Sequence, residues 1–294
     1  VSQTANTQSP VTLAALTGGV LSALFALWAM RGLPFGGLLL WLTPLPLFAA
    51  GFAFGAKAGL VAAAIGAACV VLLSSAFGLA IYAVMFSLPV AFILSAMNRP
   101  QGFDLSLPLV LLGLWPVVVL LLLALSVDDI EGAMREAVAT GVRRMGVAVP
   151  PGMVEQVARL KAAAAGLWMA LLMIGNGVLA WKLVAKAGFA PAAAPDWTDI
   201  RLPNWYAPLV ALAIVAWLLA GGAVALSVLL LLLLPVFFLG IGGVHRRLRG
   251  RPGRAAMLAG FYVLMLLFLQ LMAPLLVGLG LFDQWRRRGA PPTT

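Results

Sequence analysis

Residues 222–245 read GAVALSVLLLLLLPVFFLGIGGVH and hold no Asp, Glu, Lys or Arg. The six consecutive leucines, Leu229 to Leu234, cannot belong to a membrane β-barrel strand, which alternates polar and apolar positions. A segment this apolar must satisfy its own backbone hydrogen bonds wherever it meets lipid, and only a helix does that within one segment. The stretch lies inside a longer uncharged interval of 44 residues between Arg201 and Arg246. About 20 residues cross a hydrocarbon core of about 30 Å. The interval is therefore read as a pair of spans turning at Gly221-Gly222.

The same rule extends outward, because a charge near the bilayer centre costs about 2.5–3.5 kcal/mol and spans must fit between charges. Spans are expected at 11–30, 35–54, 107–125 and 162–184. The 41 uncharged residues between Lys57 and Arg99 make a further pair, 58–73 and 77–97, turning at Ser74-Ser75. A last span, 255–282, is long enough to tilt or to bend at Pro274. The expectation is an all-α, polytopic transmembrane helical bundle of about nine spans, or eight if 35–54, interrupted by Pro44 and Pro46, is re-entrant.

Composition agrees. Of 294 residues, 63% are hydrophobic and 10% charged, with a mean hydropathy of +1.08. A soluble domain is about half apolar and a quarter charged, so a soluble enzyme is excluded, as is disorder. Cys69 alone cannot form an intrachain disulfide. The first ten residues hold no Lys or Arg, so 11–30 is read as a retained helix rather than a secretory signal. A cytoplasmic N-terminus is favoured because Arg246, Arg247, Arg249, Arg251 and Arg254 form the densest short basic loop. With +10 net charge, nucleic acid comes to mind, but the arginines flank apolar spans and anionic headgroups suffice to explain them.

Two links stand out in an organisation of N-terminal half 1–126, linker 127–161 and C-terminal half 162–294. In the linker, Ser126 to Asp129 has capping-box form. Ile130, Met134, Val138, Val142 and Met145 recur at helical spacing, and Glu131 and Arg135 stand at i, i+4. This predicts an extramembrane amphipathic helix between spans five and six, ended by Pro150-Pro151, with 153–161 running into the sixth span. It is read first as an interfacial helix and second as a lid. The segment 189–206, with Pro191, Pro195, Pro203, Trp197, Trp205 and Tyr206, is read as an interfacial connector.

Within the spans, Ala14, Gly18, Ser22 and Ala26 place small residues at every fourth position, a face on which helices pack closely in lipid. It is a candidate helix-docking face, for a neighbouring helix or another subunit. The amides of Asn176 and Gln270 are costly against lipid. With Tyr82, they are the candidate lining of a central cavity, or else bond to neighbouring helices. No ionisable side chain lies in the expected core of a span, which disfavours an autonomous ion-coupled carrier. Nucleophile-and-base pairs and phosphate loops are lacking, so no enzymatic activity and no cofactor is expected. One His and one Cys far apart do not make a metal site.

The C-terminal part carries a likeness. A Pro-containing loop from Trp197 to Trp205, two apolar spans, the exit Gly240-Ile-Gly-Gly-Val-His245 with its arginines, and the ending Leu279-Gly-Leu-Phe-Asp283-Gln-Trp285-Arg286 together resemble the YybS-like family of uncharacterised bacterial membrane proteins. That family is distantly similar to the substrate-capture (S) components of energy-coupling-factor transporters and to MreD-type cell-shape proteins. The resemblance implies a multi-pass protein of the bacterial inner membrane. It further implies substrate binding or transport without an energy source of its own, dependent on a partner ATPase module or other membrane protein. The alternative is a non-transporting scaffold for envelope or cell-shape machinery. The ligand is left open.

Overall fold

Uninterrupted apolar runs fold as helices; some breaks between them fall where the chain loses a backbone donor or turns left-handed, and others, at Ser74-Ser75 and Phe268, where the backbone leaves the helical region. The computed structural model describes residues 8–99, 102–150, 152–189, 197 and 200–288. The described helices are α1 (Gln8–Met30), α2 (Gly36–Leu42), α3 (Leu45–Phe54), α4 (Ala56–Leu73), α5 (Ala76–Tyr82), α6 (Leu88–Met97), α7 (Ser106–Ser126), α8 (Ile130–Met145), α9 (Met153–Lys186), α10 (Tyr206–Ala220), α11 (Gly222–Arg247), α12 (Arg254–Leu267) and α13 (Leu269–Arg288). A single π-helical turn, Ala83–Ser87, joins α5 to α6. The only strands among the described residues are a two-residue antiparallel pair, Asn98–Arg99 with Gly102–Phe103.

The architecture is that of an integral membrane protein. Among the described residues, seven apolar helices are long enough to cross a bilayer, and eight if α12 and α13 count as one broken span. Outward-facing leucines such as Leu72, Leu125, Leu219 and Leu266, each more than 80% exposed, suit a lipid surround and no aqueous one. The turns expected at Ser74-Ser75 and Gly221-Gly222 are where α4 ends and α11 begins. Two of the nine expected spans differ. Helix α10 has 15 residues, about 22 Å at 1.5 Å per residue, short of the core thickness. The last span does not bend at Pro274 but breaks at Phe268 (φ −124°, ψ 38°), where α12 and α13 diverge by 119°. Pro274 lies inside α13, where its missing N–H leaves Gln270 O without its i+4 donor.

Two compact units form. The first comprises residues 1–112 with 168–195, the second 113–167 with 196–294. In the first, α1 packs on α2, α3 and α4, and α4 on α6. In the second, α11 packs on α10 and α13.

Helix α8 forms where the linker pattern predicts it, with two changes. Its cap is Asp129, whose side chain accepts from Gly132 N at 2.7 Å, while Ser126 ends α7 by bonding back to Leu122 O. Its stop is Gly146, in the left-handed conformation (φ 65°) that glycine adopts without strain, ahead of the prolines. Helix α9 does continue without interruption from Met153 through the sixth span, 34 residues in all. Residues 190–196, 198 and 199 of the connector lie outside the described residues.

Candidate functional site

Pro44 and Pro46 decide the geometry of the first unit. Neither has an N–H, so Leu40 O and Leu42 O lose their i+4 donors and the hydrogen-bond ladder is interrupted between α2 and α3 at Thr43-Pro44. At this interruption two side chains from other helices bond backbone carbonyls, those of Thr43 and Trp41. Ser22 of α1 donates to Thr43 O at 2.7 Å, and Asn176 of α9 donates from Nδ2 to Trp41 O at 2.7 Å. Because the single Ser22 proton goes to Thr43, the Tyr82 hydroxyl donates to Ser22 Oγ, at 2.9 Å. Tyr82 and Ser22 are both fully enclosed. Gly66 makes the notch for the phenol, since a methyl group there would collide with the hydroxyl. The π turn follows Tyr82 directly, and Ser87 within it donates to Ala63 O at 3.2 Å.

Asn176 is 5% exposed. Its Nδ2 also donates to Leu172 O at 2.8 Å, so both amide protons are engaged and the amide cannot be turned over. Its Oδ1 is sealed from solvent and has no hydrogen-bond partner. Two of the three expected cavity residues, Tyr82 and Asn176, thus border the same broken helix. The third, Gln270, is exposed on the first turn of α13, beside the break at Phe268.

Of the two neighbours expected for the candidate docking face, the structure supplies an internal one. Gly18, Ser22 and Ala26 are buried and Ala14 half-buried. A methyl group on Gly18 would press on Pro46 O at 3.0 Å and on Ala50, and one on Gly19 would collide with Ala62 O. Close backbone approach to α3 and α4 consumes the face. From Gly18 to Ala26 the face is packed internally.

The second unit holds its polar groups for structure. Gly240 of α11 and Gly280 of α13 abut the carbonyls of Leu276 and Val236, leaving no room for a methyl on either. One turn beyond, Asp283 receives Arg247 in a bidentate pair at 2.8 and 2.9 Å, and Arg246 at 2.5 Å. The neighbouring Gln284 donates to Leu202 O at 2.7 Å and accepts from Leu202 N at 3.2 Å. The glycine-rich exit and the Gly-Leu-Phe-Asp-Gln-Trp ending are therefore the two sides of one contact. Tyr206, buried, donates to Leu232 O at 2.6 Å. A pocket of about 20 Å³ beside it, lined by Leu202, Val236 and Gln284 among others, holds no more than a water.

Sequence reasoning also missed the role of Glu131. Its carboxylate does not show the expected pairing with Arg135; Oε1 accepts from Ala223 N at 2.6 Å and Val224 N at 3.3 Å, at the positive end of α11. On α8 the ion pair is Glu136 with Arg143, at 2.6 Å, buttressed by Thr140. Arg143 holds the Glu136 carboxyl below the usual glutamate range. Among the described residues no group of three His, Cys, Asp or Glu side chains is placed to hold a metal ion. No family model, curated protein or solved structure matches the chain.

Proposed function

We propose that this is a substrate-binding, transport-related membrane protein without its own energy source, of the YybS-like kind and S-component-like in role, working in the bacterial inner membrane. The observation that carries the reading is Asn176, with a sealed, unoccupied acceptor, beside a span whose hydrogen-bond ladder is interrupted at Thr43-Pro44. Broken helices in membranes are tolerated where they are buried or line a cavity, and transporters build ligand sites from them; π turns recur at functional sites. Energy would come from a partner such as an ATPase module, docking elsewhere than on the first-helix face.

A second reading has one observation in its favour. The protons of Ser22, Tyr82 and the Asn176 amide are all used inside the protein, as suits a scaffold for envelope machinery whose polar groups only hold helices together. Mass spectrometry of the protein purified in mild detergent separates the two. Transport predicts a co-purifying small molecule that is lost in Asn176→Leu. Envelope proteins co-purifying with no small molecule would overturn it in favour of the scaffold.

A further inference from the structure

Helices α11 and α13 run in the same direction. A methyl group on Gly240 would meet Leu276, one on Gly243 would meet Leu279 and Asp283, and Arg247 bonds Asp283. The partners advance together along both helices, which therefore finish at the same level. A chain that leaves this end after α11 and arrives at it again along α13 must turn back in between, and α12 makes the return. With 14 residues, about 21 Å, α12 is too short to span, and it meets α13 at 119°. It is also tied to the end of α11. His245 and Tyr262 share a hydrogen bond at 2.8 Å, and the charge of Arg254, the first residue of α12, reaches the His245 ring.

This path brings two separate basic stretches to one end of the second unit. Residues 222–288 contain eight arginines and a single acidic residue, Asp283, which Arg246 and Arg247 already engage. Arg249, Arg251 and Arg254, in and after the loop that follows α11, are exposed. So is Arg286, whose charge also bears on Asp283. Next to these charges the surface is apolar. No residue of α12 is buried, Val263, Leu264 and Leu266 are bare, and Trp285 is exposed beside Arg286.

We propose that α12 and α13 re-enter the membrane from one side, and that the end they share with α11 is a docking surface for anionic phospholipids. The lipid phosphates sit on Arg251, Arg254 and Arg286, and the acyl chains lie along α12. Guanidinium groups match phosphate oxygens as a fork, and basic clusters beside a membrane helix attract anionic headgroups. A water-soluble polyanion would leave α12 and Trp285 uncovered, whereas a lipid covers both. The inference goes beyond substrate capture and does not depend on it.

The test takes the full chain from liposomes of phosphatidylcholine and phosphatidylglycerol into mild detergent and quantifies the retained lipids by native mass spectrometry. Phosphatidylglycerol should be preferred. Replacing Arg251, Arg254 and Arg286 together by Gln should lower the preference on the order of a hundredfold. The same loss of charge at exposed positions of α8 and α9, Arg135→Gln with Arg144→Gln and Arg159→Gln, should leave it unchanged. Sidedness is read from Arg251→Cys and Arg286→Cys, each in a Cys69→Ala background, with a membrane-impermeant maleimide on sealed vesicles of one orientation; both should react from the same face. Equal retention of the two lipids, a preference that survives the triple substitution, or a matching loss in the α8 and α9 control overturns the proposal. Labelling from opposite faces overturns it as well, as does a nucleic acid or an acidic protein held there in place of lipid. Should the triple variant not fold, the wild-type preference and the two cysteine proteins still decide.

Discussion

Removing Asp283 and removing its arginines should have unequal consequences. The Asp283 side chain is 6% exposed, whereas Arg246 and Arg247 are 27% and 40% exposed. After Asp283→Asn the guanidinium groups can swing toward water or headgroups, and the asparagine retains some hydrogen bonding. The loss is then about 1–2 kcal/mol, that of a partly exposed charge-assisted pair. With Arg246→Met and Arg247→Met together, the carboxylate is stranded against α11, and breaking a buried pair in that way costs about 3–5 kcal/mol. Adding Asp283→Asn to the two methionines removes the stranded charge and should recover about 2 kcal/mol. The assay is reversible unfolding in mixed micelles with rising dodecyl sulfate, comparing the four proteins under one condition. If Asp283→Asn costs as much as the arginine pair, or if the triple variant is the least stable of all, the ion pair does not hold α11 to α13 through the buried carboxylate.

Three further outcomes are expected. Gly18→Leu with Ser22→Leu should abolish the folded protein, seen as loss of a monodisperse peak in size-exclusion chromatography, because Gly18 abuts Pro46, Ala50 and Ala62, Ser22 abuts Thr43 and Tyr82, and overpacking alone costs about 1–3 kcal/mol; a folded variant with a smaller oligomeric size would contradict the internal packing. Phe35 sits at φ 61° with its ring 81% exposed, so Phe35→Gly should raise stability by about 1 kcal/mol in the same unfolding assay by relieving left-handed strain. Glu136 titrates below its unfolded value, so its support for α8 is present above the ordinary glutamate range and is lost as pH falls through the lowered folded value. A nitroxide on Gly141→Cys, in a Cys69→Ala background, should gain mobility below that range and not between pH 6 and 8.

The breaks that sequence reveals are those made by residues with distinctive backbone chemistry. Gly221-Gly222 and Ser74-Ser75 stand out from apolar surroundings, and helices end there. Where two signals compete, the nearer one acts: Gly146 stops α8 before Pro150 is reached, and Asp129 caps it in place of Ser126. Phe268 gives no such warning, being one apolar residue among many, so the break beside Gln270 is not legible in the sequence. The polar residues at depth are visible as exceptions, but their partners are backbone carbonyls, which look alike in every sequence. Hence Asn176 and Ser22 could be singled out while the Trp41 and Thr43 carbonyls they serve could not. Small residues at every fourth position signal close packing without naming the neighbour, and for α1 the neighbour is internal.

The bond from Asn176 to Trp41 O joins residues 135 positions apart. Chains emerge from the ribosome at about 5–20 residues per second, so the acceptor is made roughly 7–27 s before its donor. During that interval the broken span must enter the membrane with a carbonyl awaiting its amide, and the first unit, which includes residues 168–195, cannot close. Nascent α2 and α3 are therefore clients of whatever shelters unfinished helices at the insertion site, and a chain truncated before α9 should be recognised as incomplete and degraded.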